Sequence, residues 1–446
     1  MKAVIRAEDS RARVSKASPL RPKQSMEFAL ARLMTAAAPA TPSCRFCDAA
    51  LDRVMVDLGV TPLANSNPRP EEADDERKYP LICRVCPDCL LVQVDDSVPP
   101  GEIFSDYPYF SSYSHSWVAH AARYCDDVMR RFSITRDSFV VEIASNDGYL
   151  LQHFMDRGVG VLGVEPAQNV AAAARAKGIA TETAFFGLAT AKRLSAAGRK
   201  ADLMVANNVL AHAPETRDFV AGFAELLAPE GVATFEFPHL LNLIEKVQFD
   251  TIYHEHFFYL SYLSAERIMA AAGLRIFDVE ELPTHGGSLR LFVCHASARH
   301  PVSARTAALR QRERDHALDR IAGYEGFAAR VAETKRAFLE YLAEARRAGR
   351  KVAAYGAAAK GNTFLNVCGV TYPQIEAVYD LSTQKQSRLT PGSHIPILPP
   401  AQIAELKPDD ILILPWNLAD EITRALPEVR SWGGRFVVAV PTPRFL

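Results

Sequence analysis

Two blocks of this 446-residue chain alternate short apolar runs with helical segments, and this alternation limits the fold more than any other feature. The apolar runs of the first block are 139–144, 160–165, 201–206 and 232–237, and those of the second are 351–356, 375–380, 410–415 and 435–440. Strands that alternate with helices predict mostly parallel sheets covered on both faces. A helical stretch, 302–348, with apolar residues at three-to-four spacing separates the blocks. We therefore expect two α/β domains.

Five of the eight cysteines lie between positions 44 and 89, and four of these form two C-x-x-C pairs, Cys44 with Cys47 and Cys86 with Cys89. Two such pairs supply four thiolates for tetrahedral Zn²⁺, and sulfur ligands favour zinc over magnesium or calcium. No His or carboxylate stands at these spacings, so the predicted zinc is structural rather than catalytic. Cys83 is interpreted as a packing residue. The alternative is a set of reduced, buried cysteines without a metal.

The charge balance excludes several classes of partner. The chain has 51 Lys and Arg against 52 Asp and Glu, a net charge of −1, which gives no sign of a nucleic-acid or acidic membrane partner. No apolar run approaches the ~20 residues that a membrane helix needs. We expect a cytoplasmic protein, a monomer or weak dimer, with neither nucleic acid nor membrane as a partner.

Composition and patterning together predict an α/β protein in four parts. Residues 1–40 are a disordered leader, and residues 41–110 are a small domain with too little core to fold without a metal staple. Residues 111–300 form a Rossmann-like domain, and residues 301–446 form a helical linker with a second, C-terminal Rossmann-like α/β domain. Met26 or Met34 is an alternative start of the chain.

The end of the first predicted strand carries the features of a cofactor site. Small residues there let a ligand approach the backbone, and the following helix start offers free N–H groups. Glu165 ends the next strand, where a carboxylate can accept both hydroxyls of a ribose. The dinucleotide motif G-x-G-x-x-G is absent, and the two acidic positions resemble the S-adenosylmethionine site of class I methyltransferases. The alternative is a strand–turn–helix without a ligand. The candidate cofactor residues are Glu142, Ala144, Asn146, Asp147, Gly148, Glu165, Asn207 and Asn208.

Residues 249–259, here called the histidine segment, hold the densest set of reactive side chains. Tyr253, His254, Glu255 and His256 are consecutive. The zinc-protease pattern H-E-x-x-H is absent, and a histidine pKa near neutrality suits a general base at cellular pH. We interpret the segment as a general-base site in which Tyr253 or Glu255 orients a ring or the substrate. His212, after the third strand, is a further candidate; structural histidines are the alternative.

Two further turns are candidates for substrate binding. Residues 284–290 form a glycine-rich turn with a histidine, and residues 355–363 form a strand-to-helix turn in which Lys360 could add charge for an anion. The alternatives are a tight turn between strands and a Rossmann-like scaffold that binds nothing. The candidate residues are His285, Gly287, Ser288, Tyr355, Lys360, Asn362 and Asp380.

Taken together, these motifs resemble the S-adenosylmethionine-dependent C-methyltransferases that act on nucleotide-linked 4-keto-deoxysugars. The resemblance runs from about residue 41 to the C-terminus. It is carried by Cys44-x-x-Cys47, YPLI at 79–82 followed by Cys86-x-x-Cys89, FSDYPYFSS at 104–112, EIASNDG at 142–148, ANNVLAH at 206–212, YHEH at 253–256, HGGS at 285–288 and YGAAAKG at 355–361. Ala144 stands where the family usually has glycine, and the leader has no counterpart.

The resemblance implies a zinc-binding head, a class I methyltransferase domain and a C-terminal Rossmann-like domain. It also implies that His256 is the catalytic base with Tyr253 and Glu255 beside it, and that Tyr109, Asn208 and His212 line the active site. The expected cofactors are S-adenosylmethionine and structural Zn²⁺. The expected reaction is removal of a proton from a sugar carbon, C3 or another, beside a C4 ketone, followed by methylation of the enolate.

Two alternatives belong to other classes of function. An O- or N-methyltransferase of a small metabolite would share the cofactor site and need no acidic C–H. A zinc-knuckle adaptor or RNA-binding protein would use the cysteines alone, but the near-zero net charge and the lack of a basic stripe count against it.

Overall fold

A computed structural model describes residues 41–95, 98, 110–198 and 200–446, so the predicted leader lies outside the described residues. Within these residues the strands are β1 (Arg53–Thr61), β2 (Tyr79–Val85), β3 (Val92–Val94), β4 (Phe139–Ile143), β5 (Gly160–Val164), β6 (Thr181–Glu182), β7 (Ala201–Asn207), β8 (Leu227–Pro238), β9 (Phe258–Tyr259), β10 (Leu274–Leu282), β11 (Ser288–His295), β12 (Val352–Tyr355), β13 (Val378–Tyr379), β14 (Ile397–Leu398), β15 (Asp410–Ile413), β16 (Arg435–Val438) and β17 (Arg444–Phe445).

Helices connect most of these strands. They are α1 (His115–Arg131), α2 (Leu151–Met155), α3 (Gln168–Ala176), α4 (Leu188–Ala196), α5 (Thr216–Leu226), α6 (Leu240–Glu245), α7 (Tyr262–Ala271), α8 (Ala304–Asp315), α9 (Phe327–Arg347), α10 (Ala359–Cys368), α11 (Ile403–Leu406) and α12 (Ala419–Ala425). Among the described residues, every helix is too short or too polar to cross a membrane.

The central sheet has seven strands in the order β10-β11-β8-β7-β4-β5-β6. Strands β4 to β8 are parallel, whereas β11 runs antiparallel to β8 and β10. The four strands predicted in the first block correspond to β4, β5, β7 and β8, and the α/β class is confirmed. Because β4 is central and parallel to both neighbours, the carboxyl ends of β4, β5 and β7 meet at one edge, where ligands of such sheets bind. The two-residue β6 was not predicted, whereas the hairpin β10–β11 agrees with the alternative interpretation of residues 284–290 as a tight turn between strands.

A second sheet lies in the N-terminal domain and has the order β1-β2-β3-β9. Strands β1 to β3 come from residues 53–94, but β9 begins two residues after His256 and pairs with β3. The histidine segment is therefore attached to the N-terminal domain by a strand pair.

The third sheet is the C-terminal one, with the order β14-β13-β12-β15-β16-β17. All neighbours are parallel except the terminal pair β16–β17. This second Rossmann-like domain confirms the fold predicted for the second block. The predicted helical stretch 302–348 is two helices, α8 and α9, separated by the 3-10 turn Ile321–Tyr324.

One hydrophobic core joins the N-terminal domain to the C-terminal one. It includes Val85 of β2, Phe249 of the histidine segment, Phe338 of α9, Phe364 of α10 and Leu412 of β15, each at most 2% exposed. Burial of side chains of this size contributes roughly 1.5–3 kcal/mol each. The histidine segment is thus held in a core shared by both flanking domains.

Candidate active site and zinc centre

The four cysteines of the two C-x-x-C pairs converge in the N-terminal domain. All four sulfur atoms lie within 4.8 Å of one another. Cys44 Sγ is 3.6 Å from Cys89 Sγ, and Cys47 Sγ is 3.4 Å from Cys86 Sγ. Thiolates bound at ~2.3 Å around tetrahedral zinc stand about 3.8 Å apart. The donor set and its spacing therefore fit a closed, structural zinc site.

The zinc site contacts the domain of the central sheet. The carbonyl of Cys89 accepts a hydrogen bond of 2.6 Å from Arg267 of α7. Cys83, the fifth cysteine of the region, lies in β2 within the shared core and outside the sulfur group. A few residues after the second C-x-x-C pair, β3 pairs with β9, and the Val94 N–H donates to the Phe257 carbonyl at 3.1 Å. The pairing of β3 with β9 thereby links the two C-x-x-C pairs to the residues that follow His256.

The loop after β4, residues 144–150, has an unusual backbone, and we call it the cofactor loop. Three of its residues adopt positive φ angles: Ala144 (55°), Asn146 (49°) and Gly148 (78°). The left-handed region explains why glycine is usual at position 144, because a Cβ there costs ~1–2 kcal/mol. At position 148 the positive φ favours glycine, and an added Cβ would lie 2.3 Å from Cδ1 of Ile179, whose side chain would have to move.

Three acidic side chains crowd around the cofactor loop. Burial, and then the nearby Glu165 and Asp147, raise the pKa of Glu142 well above its usual value. Glu165 accepts from the backbone N–H groups of Asn146 and Ala167, each at 2.9 Å. Lys177 pairs with Asp147 at 3.0 Å. A cationic ligand beside Glu142 would stabilise its ionised form.

Buried acceptors at the same sheet edge have no partner within the chain. Among the described residues, Glu142 Oε2, Asn207 Oδ1 and Asn208 Oδ1 are buried without a hydrogen bond. A buried polar atom without a partner costs about 1–3 kcal/mol, so these acceptors indicate a ligand with donor groups. The ammonium, ribose hydroxyls and adenine amine of S-adenosylmethionine match this set. The residues present fit the cofactor.

Asn146 and Asp147 have a second function in the loop. Asn146 Oδ1 accepts from the backbone N–H of Ser111 at 2.9 Å, and Asp147 accepts from the Ser112 hydroxyl. Both side chains thereby hold the 3-10 turn Ser111–Tyr113 against the cofactor loop. Tyr109, predicted to line the active site, lies outside the described residues.

His212 and His256 meet at the carboxyl edge of the sheet, with ring centroids 4.7 Å apart. His256 Nδ1 is 3.1 Å from the Thr251 carbonyl, and His212 Nδ1 is 2.5 Å from the Glu255 carbonyl. A carbonyl only accepts, so we assign the proton of each neutral ring to Nδ1. Each Nε2 therefore carries a lone pair.

Both rings are uncharged near neutral pH. Burial lowers the pKa of His212 to about 4. Burial, together with His212, His285 and Lys360, lowers the pKa of His256 well below its usual value. A ring that is already unprotonated can act as a base without first losing a proton to solvent.

Tyr253 and Glu255 make different contacts. The Tyr253 hydroxyl is 2.9 Å from His256 Nε2, to which it donates in this tautomer. The Glu255 carboxyl points to the N-terminal domain, where its Oε1 accepts from Asn65 Nδ2 at 3.1 Å. Glu255 thus orients His212 through its backbone carbonyl rather than through its carboxyl group.

His285 and Lys360 approach the histidine pair from two other elements. His285 lies in the 3-10 turn Thr284–Gly286, hereafter the hairpin turn, with φ 53°. Its ring is 5.4 Å from the ring of Trp117. Burial and then Lys360 lower its pKa to about 4. Lys360, at the start of α10, is near enough to lower the pKa of both His256 and His285.

The other predicted substrate residues make contacts of a structural kind. Ser288 donates to the Thr284 carbonyl at 3.0 Å, and Asn362 donates to the Ala64 carbonyl at 2.8 Å. Tyr355 is buried in the core of the C-terminal domain. Asp380 accepts from the N–H groups of Ala357 and Ser382.

Glycine is required in the hairpin turn for packing. An added Cβ at Gly287 would lie 2.5 Å from Asn242 Nδ2, and one at Gly286 would lie 2.4 Å from Cη2 of Trp416.

The site contains residues that sequence reasoning missed. Asp250 and Trp416 bond each other across two domains, and buried Glu236 binds His120, Thr284 and Arg290. No local pattern marks them, because every partner is at least 48 positions away. Of these residues, only Glu236 carried a signal in the sequence, as an isolated acid near the end of a predicted strand.

Comparison with known proteins agrees with this architecture. Three family models match successive parts of the chain: a zinc binding domain at 44–104, a methyltransferase domain at 117–279 and a C-methyltransferase C-terminal domain at 283–441. The chain is 35% identical over 406 residues to the C-methyltransferase NovU of Streptomyces niveus, covering 90% of this chain and 96% of that protein.

Solved methyltransferase structures resemble part of the chain. Magnesium protoporphyrin IX methyltransferase from Synechocystis, with bound SAH, has a TM-score of 0.33 at 15% identity, covering 40% of this chain and 83% of that one. An S-adenosylmethionine-dependent methyltransferase from Clostridium acetobutylicum has a TM-score of 0.32 at 10% identity, covering 39% and 90%.

The family models and the NovU relative agree with the cofactor loop and the four-cysteine site, and S-adenosylmethionine and zinc are the cofactors of this enzyme. The chain therefore belongs to the family of S-adenosylmethionine-dependent C-methyltransferases that carry an N-terminal zinc-binding domain.

Proposed function

We propose that this C-methyltransferase acts on a nucleotide-linked 4-keto-deoxysugar and methylates the carbon beside the ketone, C3, with His256 as the base. The observation that carries the proposal is the state of His256: a neutral ring whose Nδ1–H is bonded to the Thr251 carbonyl. This leaves the basic nitrogen, Nε2, on the side of the Tyr253 hydroxyl.

A carbon acid needs a base that is unprotonated at working pH. A ketone at C4 acidifies the hydrogen on C3, and removal of that proton gives an enolate. The Thr251 carbonyl holds the His256 ring in one orientation, and burial keeps it neutral. General-base catalysis of this kind contributes about 10²–10⁴-fold in rate.

The enolate oxygen needs a donor or a cation. Lys360 supplies an ammonium from the C-terminal domain. The Tyr253 hydroxyl donates to His256 Nε2 in this structure and would turn to the enolate oxygen as Nε2 takes the C3 proton. A well-placed donor contributes roughly 10²–10³-fold. His212 has its proton on Nδ1, bonded to Glu255, so its Nε2 accepts. We assign His212 to a sugar hydroxyl rather than to the oxyanion.

S-adenosylmethionine supplies the electrophilic methyl group when bound. Glu142 would hold its ammonium, Glu165 its ribose, and the positive-φ backbone of the cofactor loop would let it lie close to the sheet edge. Asn208 would accept from the cofactor through its buried Oδ1, and its backbone N–H is fixed by the Glu236 carbonyl at 2.7 Å. Most of the remaining rate enhancement would come from orientation of the two substrates.

We assign binding of the nucleotide part of the substrate to the C-terminal domain. The start of α10 offers backbone N–H groups suited to a diphosphate, while the Lys360 ammonium is assigned to the enolate oxygen. Tyr355 and Asp380 would shape the domain, because their contacts are made within the protein. Asn362 donates to the Ala64 carbonyl, but its buried Oδ1 has no partner and could accept from the substrate.

Proton exchange tests the proposal directly. The enzyme is incubated in D₂O, without S-adenosylmethionine, with a panel of 4-keto-6-deoxy nucleotide sugars, and deuterium at C3 is followed by NMR. We expect exchange at C3, and a C-methylated sugar when the cofactor is added. Methylation of an oxygen or nitrogen acceptor without exchange would refute the proposal and establish the alternative reaction.

A further inference from the structure

Trp416 connects three parts of the site, although it comes from the C-terminal domain. It begins the 3-10 turn Trp416–Leu418 after β15. Its indole Nε1–H donates to Asp250 Oδ2 at 2.6 Å, across 166 positions of sequence. Asp250 is 1% exposed and directly precedes Thr251, whose carbonyl orients His256. A shift of the indole would therefore move the Thr251 carbonyl and change the orientation of the His256 ring.

The face of the same indole supports Lys360. The ammonium nitrogen lies 4.7 Å from the ring centroid, in cation–π contact. It also donates to Asn417 Oδ1 at 2.6 Å. These two contacts come from adjacent residues of one turn, and together they fix the position of the Lys360 ammonium.

The edge of the indole packs on the hairpin turn that carries His285. An added Cβ at Gly286 would lie 2.4 Å from Trp416 Cη2, so the ring leaves no room for a side chain there. The Gly286 carbonyl is fixed from the other side by Lys246 and Gln248, at 3.0 and 3.1 Å.

We propose that Trp416 is a positioning residue for methyl transfer: anchored by Asp250, it docks the C-terminal domain on the histidine segment and sets the Lys360 ammonium beside His256. The inference rests on the proposed role of His256 as the base. Trp416 touches no reacting atom and acts through Lys360, His285 and the Thr251 carbonyl.

Several groups of the described residues contact the His256 ring or lower its pKa, and Lys360 is one of them. They are His212 from the turn after β7, Tyr253 of the histidine segment, Tyr259 of β9, His285 of the hairpin turn and Lys360 of α10. Only Lys360 is a cation, and burial, opposed by Asp250, lowers its own pKa. If the indole is removed and Lys360 moves away, the His256 ring becomes easier to protonate.

Trp416→Phe tests the proposal, because it removes the N–H donor and keeps an aromatic ring. The matched control is Trp432→Phe, which removes the indole bond to the Pro408 carbonyl, 3.1 Å long, in the same domain. Full-length, zinc-loaded enzyme is used for both. For Trp416→Phe we expect kcat to fall about 10- to 100-fold with the Kd for S-adenosylmethionine unchanged within about twofold. For Trp432→Phe we expect wild-type kcat.

Two further measurements separate positioning from simple stabilisation. NMR titration of the His256 ring, labelled with ¹³C-histidine and assigned with a His256→Asn sample, should show a higher pKa in Trp416→Phe than in wild type.

Asp250→Asn keeps an oxygen acceptor for the indole and should retain most of kcat, whereas Asp250→Ala should match Trp416→Phe. An unchanged His256 titration, or equal loss of kcat in both tryptophan variants, would overturn the inference. The titration needs no substrate, so it decides the matter even if the sugar exchange experiment fails.

Discussion

Replacement of His256 by asparagine separates proton removal from binding and folding. The asparagine amide nitrogen can take the place of Nδ1 and continue to donate to the Thr251 carbonyl. The change removes Nε2, and with it the 2.9 Å bond to the Tyr253 hydroxyl. The structure therefore isolates one lost group, the base itself.

The two expected losses differ in size. One neutral hydrogen bond is worth about 0.5–1.5 kcal/mol of unfolding free energy, so the variant should fold and lose roughly 1–2 kcal/mol. Loss of a general base costs about 10²–10⁴-fold in rate, or roughly 3–5 kcal/mol in activation free energy. No contact between His256 and the acidic cofactor residues is lost, so the affinity for S-adenosylmethionine should stay within about twofold of wild type.

The assay measures deuterium exchange and methyl transfer on the same samples, with urea unfolding and calorimetric cofactor binding alongside. His254→Gln is the matched control on the same segment. His254 Nε2 bonds the Pro80 carbonyl at 3.1 Å and faces the N-terminal domain, and the glutamine nitrogen can keep that bond. We expect near-wild-type turnover from the control. Turnover of His256→Asn above about one tenth of wild type, with folding intact, would refute the assignment of the base.

Three other outcomes follow from the site. The value of kcat/KM should be constant from pH 8 down to about 6.5 and should fall only at lower pH. A base whose pKa is lowered in the folded protein stays unprotonated until the pH drops through that lowered pKa. A decrease in kcat/KM that begins above pH 7 would contradict this. Gly148→Ala should cost roughly 2–4 kcal/mol in urea unfolding, from the positive φ and the overlap with Ile179, and should weaken cofactor binding in calorimetry. Metal analysis should find one zinc per chain. Cys86→Ser should lower the zinc content, the Tm and the turnover, because β3, which follows the second C-x-x-C pair, holds β9. A zinc-free variant with wild-type Tm would exclude a structural metal.

Much of the fold could be predicted because its signals are local. Apolar runs at 139–144 and 351–356 became β4 and β12, since a buried parallel strand needs apolar residues on both faces. The short β6 and β9 carried too few residues for a pattern. The break between α8 and α9 was missed because the apolar spacing continues through the 3-10 turn and into α9, where Tyr324 and Phe327 enter the same core.

The sequence predicted which residues lie at the candidate site better than it predicted what each residue contacts there. His212 and His256 lie together in the structure, and so do the four cysteines. The sequence could not show that the carboxyl group of Glu255 would face Asn65, 190 positions earlier. Nor could it show that Asn362 would bond the Ala64 carbonyl, 298 positions earlier. These contacts depend on how three domains pack, which no local pattern encodes.

The sequence by itself predicted the chemistry of this protein: thiolates spaced for zinc, acids at strand ends for the cofactor, and imidazoles, whose ordinary pKa lies near neutrality. Only the tertiary structure shows which nitrogen of His256 is bonded to the Thr251 carbonyl and which groups surround the ring. The physical reason is that a side chain's protonation and orientation depend on its neighbours in space. For His256 these are a carbonyl five residues away and an ammonium supplied by another domain.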